Sequence, residues 1–331
     1  MMRLSTLWRV DGTIGADGGS PVAEAILARW DADTGSARFF RSSANFLYRC
    51  RRAGEPHFLR FADSGERGRE AIAAECALLR WLAGKGIAVA VPAQSRAGEM
   101  VETVETAWGT FHAVLFPALA GKGRAVADLD EAGFRCWGAA LGRLHAATRS
   151  YDDPGTAARP TWRGLLAFIA GQIPAEATAL QGELAAVEAT LAALPTTPDT
   201  YGLCHFDFEL DNLVWDGECP RILDFDDCAH LWRVADITLA LGDFFATGAG
   251  TAAPHFRAFV AGYGEAHSLD EAALTQIPVF LRLADLFDYA RIERATDLAI
   301  IPEHPTWLVQ LDGRLRQWAA QYQAGIEGQR A

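Results

Sequence analysis

The spacing of apolar and polar positions divides the chain into two unequal parts. Ser20-Pro21 opens a short helix from Val22 to Trp30, because proline fits the first helical position without removing a hydrogen bond. Three β-type runs follow at 37–41, 46–51 and 57–61, and the turn-forming Arg-Ala-Gly-Glu-Pro at 52–56 joins the last two as a hairpin. From 67 to 82 the apolar residues recur at helical spacing, and Gly84 predicts the stop. Runs at 100–105 and 110–117, joined at Trp108-Gly109, complete a small antiparallel sheet that carries one main helix. After Gly121-Lys122-Gly123 the pattern turns helical, over 129–148, 162–173 and 176–194. Short β-type runs around a polar loop interrupt it at 201–225, and helical signals resume near Val234 and continue almost to the end. The expected fold class is therefore α+β with two lobes. A β-rich lobe covers residues 1–119, a hinge lies at about 117–123, and a larger, mostly helical lobe covers 120–331.

Composition narrows the function classes. Half of the 331 residues are hydrophobic and 22% are charged, which is globular composition. The charge balance, 30 Lys+Arg against 42 Asp+Glu, leaves −12 and argues against a nucleic-acid or anionic-membrane surface, which would need clustered cations. No run approaches the roughly 18 apolar residues of a membrane span. Arg3 and Arg9 stand near the start without an apolar stretch between them, so no secretory signal is read there and a cytoplasmic location is expected. The cysteines at 50, 76, 136, 204, 219 and 228 form no CxxC pair and no zinc spacing, which predicts reduced, mostly buried thiols. The ten tryptophans read as core residues.

Chemistry concentrates in Cys204-His205-Phe206-Asp207-Phe208-Glu209-Leu210-Asp211-Asn212-Leu213-Val214-Trp215, followed by Arg221-Ile222-Leu223-Asp224-Phe225-Asp226-Asp227. Apolar triplets flank both clusters, so the acids are presented at strand ends. Asp207, Asn212 and Asp224 supply what phosphoryl transfer requires: a base or aligner for a hydroxyl, and oxygen ligands for Mg²⁺. A second signal lies in the helix at 67–82, where Glu75 interrupts the stripe of Ile72, Cys76, Leu79 and Leu82. A carboxylate in an apolar stripe needs a cation, and Arg60 on the preceding strand is the natural partner, with Arg80 as a local alternative. Arg282, Asp285 and Tyr289 share a helical face that either lines a substrate cleft or forms a local Arg–Asp pair on an exposed surface.

The HxDxxxxN…D array resembles the aminoglycoside phosphotransferase and choline kinase family, relatives of protein kinases with the same two-lobed fold. The resemblance implies Asp207 as catalytic aspartate, His205 as structural support, Asn212 and Asp224 as Mg²⁺ ligands, and ATP as phosphoryl donor. Glycine is usual where Phe206 stands, and a Phe is accommodated there only if the position does not need φ > 0. Asp226 is an auxiliary metal or substrate ligand by this reading, and Asp227 a cap for the following helix. Asp236 would brace the catalytic loop, and His145, in Leu141-Gly142-Arg143-Leu144-His145, would be a packed structural histidine. The segment from Ser42 to Arg49 resembles the family's S-x-x-N nucleotide loop, which gives Ser43 and Asn45 nucleotide roles. Arg60 stands where the phosphate-binding lysine is expected and binds as a planar fork rather than a point charge. The backbone from Leu115 through Phe116 to Ala118 should face the adenine. The implied partner is a small-molecule hydroxyl acceptor. The crowding of Asp207, Glu209, Asp211, Asp224, Asp226 and Asp227 within 21 positions, with Arg221 the only base, predicts a cationic one. A serine/threonine protein kinase and a nucleotide-binding pseudokinase are the alternatives on the same fold.

Overall fold

Alternation along five strands builds the first lobe. In the computed structural model, which describes residues 1–152, 158–217 and 219–328, β1 (Arg38–Ser42), β2 (Phe46–Arg52), β3 (Glu55–Asp63), β4 (Glu102–Thr106) and β5 (Gly109–Pro117) form an antiparallel sheet in the order β1-β2-β3-β5-β4. Ala53 and Gly54, both at positive φ, make the tight turn between β2 and β3. Leu59 and Phe61 of β3, with Ala113 and Leu115 of β5, point to one face and pack with Trp30, Phe46, Tyr48 and Phe111 under α2 (Pro21–Leu27). The intervening residues point the other way, toward α3 (Arg69–Gly84), where Val114 meets Ile72 and Cys76. Arg60 is paired with Val114 across the strands, so the period of two aims it at the same helix. Helix α3 ends at Gly84, as expected, and Gly86, at φ +79°, supplies the left-handed residue beyond its end.

The second lobe is helical around two small ribbons. Its helices are α4 (Glu131–Thr148), α5 (Trp162–Ala170), α6 (Thr178–Ala192), α7 (Arg233–Ala240), α8 (Gly242–Ala246), α9 (Pro254–Gly264), α10 (Ile277–Ala295) and α11 (Thr306–Gly328). The ribbons are β6 (Tyr201–Cys204) with β9 (Ala229–Trp232), and β7 (Leu213–Asp216) with β8 (Cys219–Ile222). Helices α4 and α9 touch backbone to backbone: a Cβ on Gly138 would lie 1.9 Å from the Phe259 carbonyl oxygen.

The structure adds two elements that the sequence pattern did not predict. Strand β9 is one. The other is α1 (Leu4–Asp11), which lies across both lobes, with Val10 in the core of the first and Leu4 in the core shared with the second. Residues 329–331, the end of the expected helical lobe, lie outside the described residues. Among those described, no helix is long and apolar enough to cross a membrane. All six cysteines are free thiols; Cys50, Cys76, Cys204 and Cys228 are buried, and Cys219 is exposed.

Candidate active site

The polar loop between β6 and β7 is fixed from beneath. Asp236, buried on α7, accepts the backbone N–H groups of His205 and Phe206, each at 2.7 Å, and the Nε2 of His145 at 2.9 Å. Burial alone would raise the Asp236 carboxyl, but the His145 hydrogen bond and the other partners outweigh it and hold the pKa below its ordinary value. His145 is buried, bonded at its other nitrogen to the Tyr263 hydroxyl, and burial lowers its pKa to about 4. His145, Cys204 and Asp236 come close enough together to suggest a metal centre. Both imidazole nitrogens and both carboxylate oxygens already have partners, however, and burial raises the Cys204 thiol well above its usual range. This cluster is a brace.

Phe206 corrects the sequence expectation. Its φ is +67°, so the position does need the left-handed conformation and the Phe adopts it. The two N–H bonds to Asp236 hold the turn, and the ring is buried against Phe287, with 5.2 Å between centroids.

On this loop, Asn212 donates through Nδ2 to Asp207 twice, to Oδ2 at 2.7 Å and to the backbone carbonyl at 2.9 Å. Both amide hydrogens are thereby engaged, which leaves the Asn212 Oδ1 as its free ligand atom. His205 donates from Nε2 to the Leu223 carbonyl at 2.9 Å and accepts from the Asp207 N–H at 3.3 Å, tying the loop to the strand end that carries Asp224. Burial and then the neighbouring Asp227 carboxylate raise the Asp207 pKa.

Arg60 reaches across from β3. Its Nη2 lies 2.5 Å from Glu75 Oε2 and its Nη1 3.4 Å from Asp224 Oδ1. Glu75 is buried, yet Arg60 and Arg67 outweigh the burial and hold its pKa down. Arg80 is not the partner. Arg67 was not anticipated: it pairs with Asp226, donates to the Asp226 carbonyl at 2.9 Å and lies 3.5 Å from Glu75. Arg41, at the end of β1, approaches Asp224 to 3.7 Å. Asn45 donates to Asp226 at 2.9 Å, which ties the 42–46 loop to the second lobe, and the Ser43 carbonyl accepts from Met2 N–H at 2.8 Å. Asp226 is thus engaged by Arg67 and Asn45 on the sheet side. Asp227 caps no helix: a strand follows it, and its carboxylate lies 3.5 Å from Arg291 of α10. Arg233 does not serve these acids either, being bound to Thr148 and the Leu203 carbonyl.

The strand edge expected to face a base is partly closed. The Leu115 carbonyl accepts from Ala93 N–H at 2.8 Å, and the Leu115 side chain is in the sheet core. The Ala118 N–H donates to the Pro56 carbonyl at 3.1 Å. Phe116 lies under Arg60, with its ring centroid 5.0 Å from the guanidinium carbon. Beyond it, Lys122 and Trp215 exchange two backbone hydrogen bonds, so the 117–123 segment is sewn to β7.

On the opposite side of Asp207 the carboxylates crowd. Loss of hydration, then Asp207, Asp243, Asp288 and Asp211, push Glu209 up to about 7. Burial, then Asp288 and Glu183, push Asp285 up to about 6. Arg282 does not pair with Asp285; it pairs with Glu183 of α6. Tyr289 is buried, and Asp211 is exposed on the single turn Leu210–Asn212. Arg221 pairs locally with Asp216.

Comparison with known proteins places this geometry. The model of the family described as "Phosphotransferase enzyme family" (APH) matches residues 36–273. Amicoumacin kinase of Bacillus subtilis (strain 168) is 29% identical over 292 residues, spanning 85% of this chain and 87% of that protein. Among solved structures, amicoumacin kinase hAmiN in complex with AMP-PNP, Ca²⁺ and Ami superimposes with a TM-score of 0.75 at 24% identity, covering 92% of each chain. The microcompartment-associated aminopropanol kinase gives a TM-score of 0.71 at 22% identity, covering 92% of this chain and 96% of its own. The chain belongs to the APH phosphotransferase family and is a kinase that moves phosphate from a nucleotide to the hydroxyl of a small molecule.

Proposed function

We propose that the chain uses ATP and Mg²⁺ to phosphorylate a hydroxylated amine. Residues 1–119 bind the nucleotide, residues 120–331 carry the catalytic loop and the acceptor, and 117–123 is the hinge between them. Asp207 accepts the hydroxyl proton and aligns the oxygen for in-line attack, a role supported by the Asn212 bond that fixes its carboxylate. Its raised pKa makes it a better base than a free aspartate. Asn212 Oδ1 and the Asp224 carboxylate form an all-oxygen donor set that suits a hard divalent cation, and they are the residues that would hold Mg²⁺. The ion, when bound, neutralises charge on the phosphates. Arg60, kept extended by Glu75, directs its fork at those phosphates, and the 42–46 loop with Ser43 and Asn45 covers them. Phe116 and the Pro117–Ala118 backbone border the base.

The observation that carries the acceptor class is an acidic crowd, Glu209 among Asp207, Asp243, Asp288 and Asp211, with Asp285 next to Asp288 and Glu183; burial first, and then these like charges, raises the pKa of Glu209 and Asp285. An ammonium group relieves that repulsion, and an acidic acceptor worsens it. The aminopropanol kinase, by its name, acts on an amine-bearing alcohol, in keeping with this reading. The test is ADP release from ATP or GTP, with and without Mg²⁺, over amino alcohols, aminoglycosides, neutral sugars and hydroxy acids. Turnover of amines, weakening with salt, is expected. Preference for a neutral sugar or a hydroxy acid overturns the acceptor class.

A further inference from the structure

Phe206 holds a backbone conformation that its side chain disfavours, in the middle of the catalytic loop. Its N–H bond to Asp236 is backbone-made and needs no particular side chain, so it explains the turn but not the Phe. The ring must be accounted for by what it touches. It packs against Phe287 of α10. The guanidinium of Arg291, four residues further along that helix and so on the same face, stacks over Phe287, with 5.3 Å from its carbon to the ring centroid. Arg291 then meets the Asp227 carboxylate at 3.5 Å, and Asp288, Asp207 and Glu209 all lie within its electrostatic reach. A continuous set of contacts therefore runs from the strained residue through Phe287 to the guanidinium that stands among the acceptor-side carboxylates.

We propose that Phe206 and Arg291 are positioning residues, the ring of Phe206 setting Phe287 so that Arg291 stands as a fixed cation beside Asp207. The γ-phosphoryl group is anionic and must approach a hydroxyl held among carboxylates. A guanidinium locked in place by an aromatic face and by Asp227 opposes that repulsion without reorganising during transfer. Glycine at 206 would relieve the backbone and remove the nearer of the two rings, Phe206 and Phe168, that flank Phe287. The inference rests on the functional reading above, and it adds two residues to the machinery.

The experiment uses the full chain with ATP, Mg²⁺ and 1-amino-2-propanol as probe acceptor, and reads kcat, nucleotide KM and Tm for Phe206→Gly, Phe206→Tyr, Arg291→Met and the double variant Phe206→Gly/Arg291→Met. Loss of a contact used in the transition state lowers kcat, so Phe206→Gly and Arg291→Met should each lose about tenfold or more, with nucleotide KM within about twofold. The double variant should be no slower than Arg291→Met alone, because both act through one guanidinium. Phe206→Tyr, which keeps the ring, should restore most of kcat. Unchanged kcat in Phe206→Gly, or losses that multiply in the double variant, would overturn the proposal. A wild-type chain that turns over neither the probe nor any other amine breaks the functional reading instead. The contact chain is then read from Tm: coupled shifts support it and additive shifts refute it.

Discussion

The two sides of Asp207 treat their carboxylates in opposite ways. Toward the sheet, Glu75, Asp224 and Asp226 each lie against a guanidinium, from Arg41, Arg60 or Arg67, and Glu75 is held ionised although fully buried. Toward α10, Glu209 lies among Asp207, Asp243 and Asp288, with Asp285 next to Asp288; Arg291 faces Glu209 and Asp288, and the pKa values of Glu209, Asp285 and Asp288 rise. The first arrangement suits a polyphosphate with its metal, because cations are already oriented where phosphate charge arrives. The second suits a cationic acceptor, because its negative charge is left for the ligand to neutralise. One acidic chain thus makes two unlike half-sites, and substitutions on either side should fail differently.

The largest expected effect lies at the boundary between them. Asp207→Asn removes the proposed proton acceptor while keeping the shape and the Asn212 contact at the backbone carbonyl. General base catalysis is worth about 10²–10⁴-fold, so kcat should fall by that much while nucleotide binding and Tm are retained. Asn212→Ala and Asp224→Ala should slow transfer and also raise the Mg²⁺ concentration needed for half-maximal rate. A metal titration that leaves all three variants alike removes Asn212 and Asp224 from the metal site.

What was legible in the sequence was local or periodic. The array from His205 to Asn212 is one loop, so its members must be neighbours, and Asp224 is brought back by a short hairpin. The Arg60–Glu75 contact was readable because strand alternation and a helical stripe each aim one side chain at the other's element. Arg67, Arg41 and Arg291 were not readable. Each reaches its carboxylate across tertiary packing, Arg67 over a separation of 159 residues, and no spacing rule encodes such a meeting. The same gap explains the misreading of Asp227 as a cap. Phe206 failed for another reason: glycine is the default at positive φ, but the bonds to Asp236 and the packing of the ring on Phe287 over-determine the turn. Strand β9 was missed because four residues are too few to show a period.

On the sheet side, the structure sharpens a double-mutant test. Breaking a buried pair by removing one partner commonly costs about 3–5 kcal/mol. Arg60→Met leaves Glu75 with Arg67 at 3.5 Å, so part of the charge stays compensated. Glu75→Gln leaves both guanidiniums facing one another, with only Asp224 and Asp226 to hold them. Glu75→Gln should therefore be the more damaging to stability, and the cycle in ATP affinity should be non-additive. Equal and additive losses, measured by denaturant unfolding and nucleotide titration, would mean that Arg67 takes no share and that the sheet-side charges act singly.

The smallest effect tests the acceptor side by pH. Glu209 has its pKa raised to about 7, so its ionised form is disfavoured in the folded chain by lost hydration and by the surrounding carboxylates. For a carboxyl with a raised folded pKa, the stability contribution is present below its ordinary value near 4.5 and is lost as pH rises through about 7. Glu209 is exposed, so solvent screens the effect, and Glu209→Gln should unfold at only a slightly higher temperature than the parent at pH 8, with the difference closing as pH falls toward 4.5. Acceptor binding runs the other way, since an ammonium needs the ionised carboxylate. The KM for 1-amino-2-propanol should rise as pH is lowered through about 7 in the parent and stay flat across that range in Glu209→Gln. A solvent-accessible ion pair is worth up to about 1 kcal/mol, so the change in KM should be about two- to fivefold and should shrink in salt. A Glu209→Gln variant whose KM tracks the parent at every pH would show that the acceptor's charge is read elsewhere, with Asp285 and Asp288 of α10 the next carboxylates to substitute.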